Sequence, residues 1–298
     1  MHIPDSMLTG AICPITAAIS IGGIIGAAYY ATKAEKPISA LTFAATTALI
    51  FALQMMNFPI NDGTSGHFLG GVLAAHLLGI PFAILSLSLV VTIQSLVFSD
   101  GGLTVLGANI LNMGIIGAGI GGWLYFTLAA TGYKKSLAIA IASWFSVILA
   151  SFAVSGELAF SGTIPFAKII WAMLTTHAII GIGEALITGI WGWSFSFPNI
   201  IATHQRPAFI AITAALIIAG LCSPFASEWP DGLEWIAQQY GFFPKSAPAF
   251  VGYLANYTLP NITNELFATG GSGLIGVFLT FAFAWGIRKL IKENYLNV

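Results

Sequence analysis

Apolar residues run in long unbroken stretches along this chain, and polar residues collect in short clusters between them. Each stretch approaches the ~20 residues that a helix needs to span hydrocarbon. The pattern predicts about nine crossings, near residues 9–31, 39–56, 67–78, 81–98, 109–130, 136–154, 166–191, 208–222 and 271–287. The third is short, which leaves a half-membrane helix or a tilted one open there. The expected fold is all-α, a polytopic helical membrane protein. Composition agrees: 57% of the 298 residues are hydrophobic and only 7% are charged, against about 25% charged in soluble domains.

Positive charge orients these segments. With the N-terminus outside and strict alternation, Lys33, Lys36, Lys134, Lys135, Arg206, Arg288, Lys289 and Lys292 fall inside. Lys168 and Lys245 fall outside, so 8 of the 10 basic residues share one face, as the positive-inside rule expects. The C-terminus is then cytoplasmic. A net charge of −1 gives no reason to expect nucleic acid. No positively charged segment precedes the first apolar run, so no cleaved signal peptide is expected. Cys13 and Cys222 fit no metal or redox spacing and read as packing residues. Gly22 with Gly26, and Gly117 with Gly121, have the spacing of close helix contacts and read as internal packing.

The chain starts Met1-His2-Ile3-Pro4. Its α-amine, the His2 amide nitrogen and the His2 imidazole offer a metal a five-membered and a six-membered chelate ring. The resulting near-planar nitrogen set suits Ni(II) or Cu(II), and also Co(II), better than tetrahedral Zn(II). Pro4 stiffens the segment. The other reading is an ordinary histidine on a frayed end. The turn-rich stretch 57–67 ends on His67, on the same expected face, and can supply a fourth nitrogen. Asn57, Thr64 and Ser65, with Asp62, are candidates to orient His67, and the 99–103 stretch with Asp100 joins them on that face. An α-amine and two imidazoles must be unprotonated to bind, so affinity is expected to fall on acidification.

Other polar groups lie in spans, where ionisable residues are costly and point to function. His76 is a packing histidine or a second ligand. His177 and Glu184 lie seven apart and share a helix face; they are expected to pair, bind a partner or relay motion. Gln94, Asn109 and Asn112 either back the metal site or bond between helices. His204 reads as solvated. The segment from Ser223 to about Thr269 reads as a small folded cap. No GxxxxGK[ST] loop occurs, so ATP hydrolysis by that route must come from a partner. A proton-coupled secondary permease using His177 and Glu184 is the alternative. No HExxH occurs, so a zincin protease is unsupported, and an intramembrane metalloenzyme is a third, weaker reading.

Several ordered motifs carry a resemblance. Met1-His2-Ile3-Pro4-Asp5, Met56-Asn57-Phe58-Pro59-Ile60, Gly63-Thr64-Ser65-Gly66-His67, Asp100-Gly101-Gly102-Leu103-Thr104, Gly107-Ala108-Asn109-Ile110-Leu111-Asn112-Met113 and Gly181-Ile182-Gly183-Glu184-Ala185-Leu186 are similar to the CbiM/NikM family. These are substrate-capture components of cobalt and nickel energy-coupling-factor transporters. The stretch Trp229-Pro230-Asp231-Gly232-Leu233-Glu234 resembles the PDGLE/NikN-type component, here on the same chain. The resemblance implies residues 1–205 as a metal-capture core and 206–298 as a PDGLE-like segment. It implies metal ligation by Met1, His2 and His67, with Ni(II) or Co(II) as the transported substrate. It also implies a transmembrane coupling subunit, paired cytoplasmic ATPases, a prokaryotic inner membrane and a link to cobalamin biosynthesis. Two departures flank the ligands: Ser6, where the family favours glycine, and Asn61-Asp62, where it favours a Pro-Gly-like pair.

Overall fold

The computed structural model describes residues 1–34, 38–60, 63–195, 206–244 and 246–291. Lys36, Asn61, Asp62, His204, Lys245 and Lys292 lie outside the described residues. Helix α1 spans Ile12–Thr32 and α2 Ala40–Gln54. Strands β1 (Asn57–Pro59) and β2 (Ser65–His67) form an antiparallel hairpin in which Asn57 pairs with His67. Next come α3 (Gly71–Leu78) and α4 (Ile80–Ile93), the latter continued by a π turn at Gln94–Phe98. Helix α5 (Leu106–Ile110) runs through a π segment, Leu111–Ile120, into α6 (Gly121–Ala130). Helices α7 (Lys135–Phe160) and α8 (Phe166–Phe195) pack along each other. The tail holds α9 (Arg206–Ile217), a π turn and a 3₁₀ turn to Phe225, α10 (Gly232–Gln239), a 3₁₀ turn at Ala255–Tyr257 and α11 (Glu265–Leu290).

Among the described residues, seven helices are long and apolar enough to cross a membrane; α2, at 15 residues, is shorter. Of the nine expected crossings, the second (α2) and the third (α3) fall short of that length. The helical part of the third has only 8 residues, roughly 12 Å at 1.5 Å per residue. Gly70 and Gly79 flank it with φ of 78° and 77°, a region that glycine enters without a Cβ penalty. The remainder of that segment is spent on β2 and an extended link, which hold His67 in place.

The ends of the helices sort into two groups. Ala27 and Ala31 of α1, Phe43 of α2, Leu78 of α3, Phe82 of α4 and Ala284 of α11 form one cluster. Lys33, Arg288 and Lys289 belong to helix ends at that same pole. Met1, Ile3, Met7, Leu8, Val105, Leu158, Ile164, Leu233 and Ile236 cluster together elsewhere, and Lys168 sits beside Ile169 of that group. The outward faces of the helices are apolar: Ile15, Ile19, Ile25, Trp123, Trp171, Leu186 and Phe278 are all exposed, as lipid-facing surface requires. Gly117 and Gly121 pack internally against Leu69, Val72 and Ser146. Gly22 and Gly26 do not; a Cβ on either would meet open space, so the expectation of internal packing is corrected there. Cys13 and Cys222 form no disulfide.

The N-terminus is no frayed end. Residues 1–8 lie as a buried strap, with Ile3 fully and Met7 almost fully enclosed. Each such side chain contributes about 1.5–3 kcal/mol of burial. Ser6 turns the strap with φ of 66°, where an L residue with a Cβ costs roughly 1–2 kcal/mol. Ser6→Gly should therefore raise the thermal midpoint of the detergent-solubilised protein, by up to about 1 kcal/mol in stability once glycine's added unfolded-state freedom is subtracted. A midpoint that stays or falls would argue against strain at Ser6.

Candidate metal centre

The strap is held by its backbone. Asn109 accepts from the Ile3 amide at 2.7 Å and donates to the Ile3 carbonyl at 3.1 Å, so one side chain satisfies both backbone polar groups of that residue. Gly102 N–H donates to the same carbonyl at 2.8 Å. A Cβ on Gly102 would collide with the Asp5 backbone, so the 99–104 turn approaches this closely only with glycine. Asp5 accepts from the Thr104 amide at 2.9 Å and hydroxyl at 2.6 Å, and from the Ala249 amide at 3.2 Å. These contacts leave Met1 and His2 projecting into the protein.

His2 is buried, with Nδ1 3.1 Å from Asp100 Oδ1 and Nε2 3.0 Å from Gln94 Oε1. Its ring stacks on His67, centroids 4.8 Å apart and 23° from parallel. Burial pulls its pKa below 6.5, with Asp100 opposing. Gln94 reaches the ring from the π turn that ends α4, and such turns recur at functional sites. His67 closes β2. Its Nδ1 faces the Phe68 carbonyl at 3.1 Å. With the proton on Nδ1 the lone pair is left on Nε2, which has no hydrogen-bond partner. Just beyond, both Glu184 carboxylate oxygens accept backbone N–H groups, Leu69 at 2.7 Å and Gly70 at 2.9 Å. Glu184 thus holds the segment that carries His67.

The site's other wall comes from the tail. Asp231 caps α10, Oδ1 accepting from Leu233 and Glu234 at 2.8 and 2.9 Å, and Glu234 completes the capping box. Asp231 Oδ2 lies 2.8 Å from the Met1 α-amine and 3.5 Å from His67 Nε2. Burial pushes the Asp231 carboxyl up, but the terminal ammonium first, then the Glu234 N–H and His177, outweigh it and leave its pKa lowered. Burial first, then Asp231 and Asp100, push Glu234 up to about 7.

Thr64 and Ser65 do not touch the His67 ring. Ser65 donates through N and Oγ to Pro230 and Trp229 carbonyls at 2.9 and 2.7 Å, Thr64 donates to Pro230 at 3.3 Å, and the Asn57 carbonyl accepts from Ser227 at 2.8 Å. They zip the hairpin to the tail. Asp100, expected beside the ligands, reaches the His2 ring directly. His177 joins the site: Nδ1 bonds Met173 O at 2.8 Å, Nε2 is unpartnered, and the ring lines a cavity of ≈10 Å³ with Met1, His67 and Asp231. Glu184 is occupied with Leu69 and Gly70, so His177 and Glu184 form no pair with each other. His76 is not brought here; it bonds Tyr125 at 2.8 Å. Asn112 bonds Glu157 at 2.8 Å instead of backing the site. Sequence reasoning missed Asp231 as a member of the site, although Asp231 and Glu234 carry the capping-box spacing that marks a helix start.

Residues 2–192 match the CbiM family, described as a cobalt uptake substrate-specific transmembrane region. The chain belongs to the CbiM family. Residues 205–293 match the PDGLE domain, so the CbiM region and a PDGLE region share one polypeptide. The chain is 33% identical to a putative fused nickel transport protein, NikMN, of Archaeoglobus fulgidus, over 98% of this chain and 99% of that one. A cobalt transport protein CbiM of a Nostoc species is 34% identical over 56% of this chain and 66% of its own. The crystal structure of a transition metal transporter superposes with a TM-score of 0.61 at 29% identity, covering 70% of this chain and 97% of that one. CbiM-family membership and the seven apolar helices make this a multi-pass membrane protein of a cobalt and nickel transport family. These relatives come from an archaeon and a bacterium.

Proposed function

We propose that this chain is the metal-capture subunit of an ATP-driven energy-coupling-factor importer for Ni(II) or Co(II). The ion is gripped by the Met1 α-amine, the His2 amide and imidazole nitrogens, and His67 Nε2. One observation carries this reading: the His2 and His67 rings, far apart in sequence, stack at 4.8 Å beside a buried Met1 amine. Binding releases one proton from the Met1 ammonium, now against Asp231, and one from the His2 amide, and draws His2 Nδ1 from Asp100. Both carboxylates remain close enough to balance the cation's charge. Nickel and cobalt are the ions named for the relatives, and four nitrogens in a plane accept either.

In this proposal residues 1–205 form the capture core and 206–298 the PDGLE-like segment, with the N-terminus outside and the C-terminus cytoplasmic. A transmembrane coupling subunit and cytoplasmic ATPases supply the energy, and the coupling subunit must bind the outward and inward orientations differently. The test is bound-metal determination on protein with a native N-terminus, then uptake into liposomes with and without those partners. One Ni(II) or Co(II) per chain and ATP-dependent uptake are expected. Uptake by the isolated chain under a pH gradient without ATP would overturn the assignment in favour of a permease.

A further inference from the structure

A second cavity, ≈200 Å³, adjoins the nitrogen donors. Asp100 lines one side, Asp231 and Glu234 another, and Gln54 contributes from the end of α2; His2 and His67 form the inner boundary. His67 and Asp231 line both this chamber and the ≈10 Å³ cavity beside Met1 and His177. The two spaces therefore lie on either side of the same two side chains.

We propose that this chamber is a second cation site, which takes a divalent cation still carrying its waters and presents it to the inner nitrogens. This rests on the reading of Met1, His2 and His67 as the final site. The carboxylates alone would be weak grounds; Gln54 supplies the independent one. Gln54 is 2% exposed, and its Nε2 donates to the Leu69 carbonyl at 2.7 Å, which fixes the amide. Its Oε1 has no protein partner. A buried acceptor left unmade costs about 1–3 kcal/mol, and a hydrated cation satisfies it. No Lys or Arg lines the chamber among the described residues, so no side-chain cation competes there.

The geometry selects the hydrated form. Among the described residues, no three His, Cys, Asp or Glu side chains converge closely enough to hold one bare ion. The space holds several waters, and cations that dehydrate reluctantly bind through one or two carboxylates with waters retained. The tail also forms the roof. Tyr257 donates to Asp100 Oδ2 at 2.6 Å, its ring stacks on Phe98 at 4.7 Å, and Asn256 beside it lines the chamber. Burial, reinforced by Asp100, raises the Tyr257 hydroxyl pKa well above its ordinary value, so it stays a donor to Asp100. The PDGLE-like segment thereby supplies roof and wall to a waiting site through which the ion sheds water in two stages.

The test uses the full chain in detergent, with its native N-terminus and with one residue added before Met1. Mn(II) is the probe, because it favours oxygen donors and its free six-line EPR signal disappears on binding. Both forms should bind Mn(II) weakly and saturably. Glu234→Gln keeps the α10 cap, since Gln also serves at that position. It should weaken Mn(II) binding by about tenfold, the scale of one charge removed from a partly buried site, and slow nickel association in stopped flow. Asp100→Asn probes the opposite wall if Glu234→Gln cannot be purified. Absence of saturable Mn(II) binding, or binding indifferent to these variants, overturns the chamber while leaving the inner site standing. Nickel held equally tightly by native and extended protein would instead sink the inner site, whatever Mn(II) does.

Discussion

One residue added ahead of Met1 abolishes nickel and cobalt capture: this is the largest effect expected of any change to the chain. The addition converts a basic amine into an amide and removes the five-membered chelate ring that amine and His2 amide would close. Structural metal sites contribute about 10–16 kcal/mol over four ligands, so each donor carries roughly 2.5–4 kcal/mol, or about two to three decades of affinity. The extension removes one donor outright and unseats a second. It also inserts chain where Met1 is only 6% exposed and pairs with Asp231 at 2.8 Å. Calorimetric titration of native and extended protein in the same detergent measures the difference. Comparable affinities would show that the terminal nitrogen is no ligand.

His67→Ala ranks second. It deletes a single donor, so a loss of two to three decades in affinity is expected on the same arithmetic. The ring also stacks on His2, and its loss frees His2 to turn fully to Asp100 and Gln94. His76→Gln is the matched control: it removes an imidazole nine positions away that bonds Tyr125 in the helix bundle. Metal titrations should separate the two variants widely. Similar affinities for both would mean that histidine loss acts through folding and not through ligation.

Much of this protein is legible in its sequence. Long apolar runs can only be helices when backbone groups lack water, so the helical membrane architecture followed from composition and length. The pairing of an N-terminal Met-His with a later histidine followed from chelate geometry, and the structure does bring His2 and His67 into contact. At residues 67–78 hydropathy left a half-membrane helix open but could not fix its length, because it registers apolarity and not the two glycines with φ near 78° that bound the helix at 8 residues. Thr64 and Ser65 were matched to the wrong partner for a related reason. Hydroxyls beside a histidine look like its supports, yet here they satisfy the carbonyls of Trp229 and Pro230.

By itself, then, the order of residues determined the membrane setting, the transport family and the nitrogen donors on offer, since each depends on local composition or on a short motif. Only the tertiary structure decided what surrounds those donors. Asp231 and Tyr257 arrive from the tail, His177 from mid-α8, and Gln94 from a π turn, each positioned by backbone contacts between segments remote along the chain. Such convergence is set by how helix ends pack and which backbone groups remain to be satisfied, and no periodicity within one segment encodes it.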